Sequence, residues 1–376
     1  MAATNDPRLA MQDALRTASP LGRRRFLQGG AVLLGAAPVL AACGSSSKSA
    51  APAATATSGA ASASAAKNFG ELTYRLSWIK NVEFGGSYIA DSKGYYKDEG
   101  FSSVDLISGG PSATPQETDV VSGKAFIGIS APDITGAAIV KGAPLIIVGA
   151  EYQKNPFAVM SMTKTPIKTA QDMIGKKIGV QATNESVWDA FLKANKIDPS
   201  KITKVPVQFD PLPLTQGTVD GWFSFITNEP NDLRSKGFDV TTFLLADYNY
   251  PLVSETYMVK VSDLTANRDK IKAALRADIR GWKDALADPA LPATLAANTY
   301  GKGLGLTVAE QTLESKSQND LILNADTKKN GLFTITPELI EKNVATLKFA
   351  GIDITAAKLF DTSIIDEIYQ EDPSLI

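Results

Sequence analysis

Histidine is absent from this 376-residue sequence, and cysteine occurs once, at Cys43. The first absence excludes a Ser-His-Asp or Cys-His nucleophile, an imidazole general base and a His-ligated zinc. The second leaves no partner for an intrachain disulfide, so the fold must be held by burial alone. A basic surplus is missing too: 38 Lys and Arg against 40 Asp and Glu give a formal charge of −2, and no nucleic-acid partner is advertised. No EF-hand, P-loop or dinucleotide fingerprint is present, since Gly301, Gly303 and Gly305 do not follow a strand as that motif requires. Asp366, Glu367, Glu371 and Asp372 read as a solvated face, not as metal ligands, so neither a metal nor a cofactor is expected. What remains, 44% hydrophobic and 21% charged residues, is the composition of an ordinary globular chain with two or three folded units.

The amino-terminal residues read as targeting. Arg23-Arg24-Arg25-Phe26-Leu27-Gln28 precedes an apolar run, 29–42, too short to span a bilayer as a stable helix. The arginines followed by Phe-Leu resemble a twin-arginine export signal, and Leu40-Ala41-Ala42-Cys43 resembles the lipobox of bacterial lipoproteins. Residues 1–42 are therefore expected to be a signal peptide and Cys43 the lipidated first residue of a chain anchored to the outer face of the cytoplasmic membrane. Loss of five basic and two acidic residues would leave 33 against 38, a net charge of −5. Residues 44–68 are almost entirely Ala, Ser, Thr, Gly and Pro, so 43–69 reads as a flexible tether with a reach of about 25–30 Å.

From residue 71 onward short apolar runs alternate with helical stretches, the pattern of an α/β protein. Strands are expected over 72–78, 104–108, 125–130, 145–149, 158–162, 177–181, 204–209, 219–226 and 240–246. Helices are expected over 84–93, 114–122, 133–141, 184–195 and 229–236. Beyond about 256–261 the pattern becomes mostly helical. Ile271, Leu275, Ile279, Trp282 and Leu286 form an apolar stripe ending at Pro289. Thr307 and Thr336-Pro337 mark helix starts, and Gly351 a helix stop. The simplest arrangement is two lobes, 70–155 with 251–376 and 156–250. In such folds ligands sit at the carboxyl ends of strands.

One group of motifs is more specific. Gly85-Gly86-Ser87-Tyr88-Ile89-Ala90 leads through Lys93-Gly94-Tyr95-Tyr96-Lys97-Asp98-Glu99-Gly100 to Gly109-Gly110-Pro111. It is followed in order by Gly123-Lys124-Ala125-Phe126-Ile127-Gly128, Gly142-Ala143-Pro144-Leu145, Tyr152-Gln153-Lys154-Asn155-Pro156, Asp172 to Gly179, and Asn228-Glu229-Pro230. Together they resemble the nitrate, sulfonate and thiamine-pyrimidine precursor group of substrate-binding proteins over roughly 72–261. Phe101 departs from the usual Leu. The resemblance implies a two-lobe, type II periplasmic-binding-protein-like α/β fold, each lobe a mostly parallel sheet with flanking helices, and a helical carboxyl-terminal part. It implies a monomer that closes by hinge motion and delivers a small ligand to an ABC permease and ATPase.

Aromatic residues near expected strand ends are Trp78, Tyr88, Tyr152, Trp188, Trp222, Phe225 and Tyr248, with Glu83, Asp133, Gln153, Asn184, Glu229 and Asp247 beside them; bases are fewer, chiefly Lys80 and Lys154. That balance favours a planar, amino-bearing heterocycle, a pyrimidine precursor or flavin, over nitrate or an alkanesulfonate. Candidate ligand residues are Trp78, Glu83, Tyr88, Ser108, Gly109, Gly110, Asp133, Gln153, Asn184, Trp188, Glu229 and Tyr248. Trp78 and Tyr88 stand where the family places ligand-facing aromatics. Gly109-Gly110 suits a close backbone approach. Asn184 and Asp133 equally suit helix caps, Glu229 a cap or an acceptor for a ring N–H, Gln153 a brace at the lobe crossing, and Trp188 either core or cleft; Trp222 suits core.

Two other classes stay open. Fungal pyrimidine synthases resemble this group but consume an active-site histidine beside a lysine-bound pyridoxal phosphate, which the missing histidine opposes, so no catalytic residue is expected. A surface sensor that signals through a partner is the third.

Overall fold

The computed structural model describes residues 67–376 except 111, 112 and 209. The export signal, Cys43, most of the tether and Pro111 lie outside the described residues. Two five-stranded sheets organise the rest, in the orders β2-β1-β3-β10-β4 and β7-β6-β8-β5-β9. The first contains β1 (Gly70–Arg75), β2 (Phe101–Ile107), β3 (Ile127–Ser130), β4 (Leu145–Tyr152) and β10 (Ser254–Lys260). The second contains β5 (Phe157–Met162), β6 (Lys177–Gln181), β7 (Thr203–Val207), β8 (Gly221–Phe225) and β9 (Val240–Leu244). β1 runs parallel to β2 and β3, and β6 to β7 and β8; β10 and β5 are the reversed strands. This is a two-lobe α/β fold of mixed sheets flanked by helices.

The reversal decides where a ligand can sit. The chain leaves the first sheet at the end of β4, enters the second at β5, and returns from β9 to β10. Each reversed strand therefore starts at the crossing. The carboxyl ends of the four other strands in its sheet lie along that same edge, which is the ligand edge of open α/β sheets.

β4 is buried at all eight positions, and β10 at six of seven. β10 falls where the sequence pattern turns helical and is not among the expected strands. Its centre is apolar, Tyr257-Met258-Val259, but Glu255 opens it at φ 46° and a register shift lies between Tyr257 and Met258. Both features break strand periodicity.

The apolar stripe of Arg268–Ala287 packs as its spacing requires: Ile271, Leu275, Ile279 and Trp282 have no exposed surface. Its partner is the helix Gly85–Ser92. A Cβ on Gly86 would lie 2.3 Å from the Trp282 ring, and one on Gly281 would lie 2.0 Å from the Gly86 carbonyl oxygen. The Gly85-Gly86 pair thus serves helix-to-helix approach. Thr307 and Thr336 cap their helices by accepting from Glu310 N–H and Leu339 N–H. The carboxyl-terminal acidic residues are more than a solvated face, since Glu367 pairs with Arg268 at 2.7 Å and Glu371 with Lys272 at 2.5 Å, tying Ser363–Glu371 to the long helix. Among the described residues no helix is long and apolar enough to cross a membrane.

Candidate functional site

At the crossing edge of the first sheet the loop after β1, residues 76–81, is fixed from three directions. Gly109 N–H donates to the Trp78 carbonyl at 2.8 Å, and Gln116 Nε2 to the Ser77 carbonyl at 2.7 Å. Arg75 donates to the Ser108 and Thr114 carbonyls and forms an ion pair with buried Asp119 at 3.1 Å. A Cβ on Gly109 would lie 2.5 Å from the Leu76 carbonyl oxygen. The close approach read from Gly109-Gly110 is therefore to the neighbouring loop. Trp78, held by this clamp, is half-buried.

Beneath the loop four glutamates converge with almost no solvent. Glu83, Glu255 and Glu314 keep 5–8% of their surface exposed and Glu151 keeps 1%. Glu151 ends the apolar run of β4, and Glu255 stands opposite it in register between the pairs Ser254 with Tyr152 and Thr256 with Ala150. The positive φ of Glu255, uncommon for a residue with a Cβ, turns its carboxylate to accept from Ser77 Oγ at 2.6 Å. Glu314 accepts from Asn81 Nδ2 at 2.7 Å and Gln311 Nε2 at 2.8 Å. Gln311 Oε1 accepts from Val82 N–H, and Gln318 donates to the Val82 carbonyl while accepting from Tyr152 OH. Tyr257 OH donates to Glu151 at 3.3 Å.

Among the described residues no salt bridge reaches any of these four carboxylates. Burial, with little to oppose it, pushes Glu83 up to about 7 and Glu314 to about 8, and drives Glu151 and Glu255 well above the usual carboxylate range. The charge of Glu83 raises Glu255 further, so burial and repulsion together favour a proton on at least one of the two. Three deeply buried polar atoms here have no partner: Tyr88 OH, Asn81 Oδ1 and Glu151 Oε1.

Of the residues expected from sequence, Trp78, Glu83 and Tyr88 come together here. Tyr88 is fully buried and stacks on Tyr300 with ring centres 4.2 Å apart, so its hydroxyl is what meets the cluster, in the field of Glu83 and Glu314. Gln153 is a brace: its side chain donates to the Ala150 carbonyl and its N–H to Leu321. Asp133 is half-buried one residue inside its helix, which Ala131 caps; its carboxyl is raised by burial. Ser108 Oγ is exposed and donates to the Gly109 carbonyl.

On the second lobe, Asn184 stands at a helix start without capping it and donates instead to Gln181 Oε1 at 3.1 Å. Glu229 accepts from Phe225 N–H at 2.9 Å, and burial pushes it up to about 7. Trp188 is core, 5.7 Å from Phe223 in an edge-on pair, and Trp222 is core as its strand position suggests. Tyr248 donates to the Lys168 carbonyl at 3.1 Å and packs on Phe243, and Lys154 pairs with Asp247 at 2.7 Å. These contacts occupy Tyr248, Lys154 and Asp247 away from the glutamates.

Asn81, Glu151, Glu255, Gln311 and Glu314 were not signalled by motif. On Val308–Ile322, Gln311, Glu314, Ser315 and Gln318 are all buried. Their helical spacing draws a polar stripe that in sequence looks like a solvated face. Among the described residues no cluster of His, Cys, Asp and Glu is arranged to hold a metal. What the arrangement can do is accept hydrogen bonds and balance positive charge.

The riboflavin-binding protein RibY of Chloroflexus aurantiacus is 28% identical over 231 residues, covering 60% of this chain and 65% of its own. A 4-amino-5-hydroxymethyl-2-methylpyrimidine phosphate synthase of Legionella pneumophila is 25% identical over 36% of this chain and 43% of its own. The chain thus spans less than two thirds of these curated relatives. Among solved structures, the periplasmic aliphatic sulphonate binding protein SsuA of Escherichia coli superposes with a TM-score of 0.57 at 16% identity, over 77% of this chain and 92% of that one, a likeness of fold. Residues 81–291, more than half of the sequence, match the family described as NMT1/THI5 like. The chain belongs to the NMT1/THI5-like family.

Proposed function

We propose that this protein is the lipid-anchored, extracytoplasmic solute-binding component of an ABC importer. It binds a small planar heterocycle between lobe 1, residues 70–155 and 251–376, and lobe 2, residues 156–250. The lobes close by hinge motion about the crossing segments, and the closed monomer docks on a permease and its ATPase. The observation that carries this reading is the set of four buried glutamates beneath the loop after β1, on the ligand edge of the first sheet. Such a site accepts hydrogen bonds from ring and amino N–H groups and offers no cation to balance nitrate or a sulfonate. A thiamine pyrimidine precursor or a flavin fits it; the name of the Chloroflexus relative supports the flavin. The synthase reading is opposed by the missing histidine.

Calorimetry of the purified protein against aminopyrimidine precursors, riboflavin, nitrate and alkanesulfonates tests this. Saturable binding of a heterocycle with no response to the anions is expected. Binding of none of them refutes the reading. Cys43→Ala should abolish incorporation of a radiolabelled fatty acid; persistence of the label would refute the anchor.

A further inference from the structure

Glu83, Glu151, Glu255 and Glu314 meet from four separate elements, and among the described residues no cation pairs with them. Buried polar atoms that serve structure alone are mostly hydrogen-bonded. Here Tyr88 OH has no exposed surface and no partner, and Asn81 Oδ1 and Glu151 Oε1 are likewise unpartnered at 5% and 1% residue exposure. One hydroxyl and two acceptor oxygens are thus held ready around the carboxylates, three of which retain a sliver of solvent contact. The other ionisable groups that act on them are Tyr88 beside them, Tyr152 on β4, Tyr257 on β10 and, from the long helix, Asp278. All are acids. Lys80, in the same loop, forms no ion pair among the described residues.

We propose that this cluster is a cation subsite that takes the protonated amino or amidinium group of the ligand, so that the bound solute is an organic cation. The inference rests on the binding-protein reading and narrows its ligand class. A flat amidinium carries up to four N–H donors in one plane, and matches acceptors of this kind with charge-assisted hydrogen bonds. Unliganded, the cluster holds protons because burial and mutual repulsion favour the neutral acids. An arriving cation favours the ionised form, so protons leave to solvent as it binds. Each proton released raises affinity up to about tenfold per pH unit below the ligand's own pKa.

The test uses benzamidinium and its flat neutral counterpart benzamide as probes, titrated calorimetrically from pH 6 to 8.5 in two buffers of different ionisation enthalpy. At least tenfold preference for benzamidinium is expected, with affinity rising with pH and about one proton released. Glu83→Gln and Glu255→Gln should each reduce the preference and flatten the pH slope while circular dichroism and the urea midpoint at pH 6 stay those of a folded chain. That outcome separates charge recognition from a loss of fold. Equal binding of the two probes, a flat pH profile, or an undiminished preference in both variants overturns the subsite, as does failure of either probe to bind. If riboflavin or an aminopyrimidine still binds in that case, only the subsite falls. If nothing binds, the binding-protein reading falls with it.

Discussion

Glu314 offers a direct measure of how much stability the site gives up. Its carboxylate is 7% exposed, accepts from Asn81 and Gln311, and is pushed by burial to about 8 from an ordinary 4.5, with Glu83 adding repulsion. A carboxyl group whose folded pKa is raised keeps its proton in the folded chain where the unfolded chain has lost it. Stability from this group is therefore intact below pH 4.5 and falls as pH rises through the window to about 8. At about 1.4 kcal/mol per pH unit, that window amounts to about 5 kcal/mol as a ceiling. Glu314→Gln removes the titration. It presents one acceptor and one donor to two donors, so one amide is left facing another, at about 1–3 kcal/mol.

The variant should therefore be within about 1–2 kcal/mol of the native chain at pH 5 and more stable by about 2–4 kcal/mol at pH 8.5. Urea unfolding of both proteins at pH 5, 6, 7 and 8.5 measures the difference, with thermal midpoints as a check. A variant less stable at pH 8.5, or a difference that does not grow with pH, refutes the argument that the cluster is uncompensated.

Three further perturbations address the scaffold. Gly281→Ala places a methyl group 2.0 Å from the Gly86 carbonyl oxygen and should force the two helices apart; a loss of about 3 kcal/mol or failure to fold is expected, and a change below about 1 kcal/mol in chemical unfolding would contradict the packing. Arg75→Met leaves Asp119 buried with only the exposed Lys124 amine at 3.5 Å, and removes the clamp on Ser108 and Thr114. It should cost about 3–5 kcal/mol and weaken heterocycle binding; unchanged stability would show that the ion pair is dispensable. Asp278→Ala strands the hydroxyls of Tyr74, Tyr96 and Ser87 in the core. A loss above about 3 kcal/mol by urea unfolding is expected, and a loss under about 1 kcal/mol would mean that those hydroxyls find other partners.

The residues show where sequence reasoning reaches and where it stops. β6 is legible end to end because Lys177–Gln181 is a short apolar run bounded by glycine and a helix start. The stripe ending at Pro289 is legible because period and stop signal agree. β4 continues past its apolar run to Tyr152 because Glu151, a polar break in sequence, is buried in the fold. The same inversion hides Gln311 and Glu314, whose helical spacing is ordinary and whose direction is set by tertiary packing. Position near a strand end leaves Trp188 open between core and cleft and makes Tyr248 a candidate for the cleft. The side-chain direction that carries Trp188 into the core against Phe223 is not encoded in that position. Glu83 stands out in sequence only as an acid beside aromatic residues near a strand end, and its three carboxylate neighbours come from β4, β10 and a distant helix, so no local pattern could assemble them.

Two of the buried acidic centres in the first lobe differ in a way that argues for function in only one. Asp278 has no exposed surface and is raised to about 6 by burial, yet both of its oxygens are engaged by Tyr74, Tyr96 and Ser87. A charge so completely hydrogen-bonded is explained by the fold it holds together. The glutamate cluster is raised further, holds a strained backbone at Glu255, and still leaves Tyr88 OH and Glu151 Oε1 without partners. Packing alone would favour apolar residues of similar volume there, since an unpaired buried charge opposes folding. On the proposed reading, four such residues at the crossing edge are acceptors for a group that arrives from outside, and the cost of leaving them unpaired is what that group would relieve.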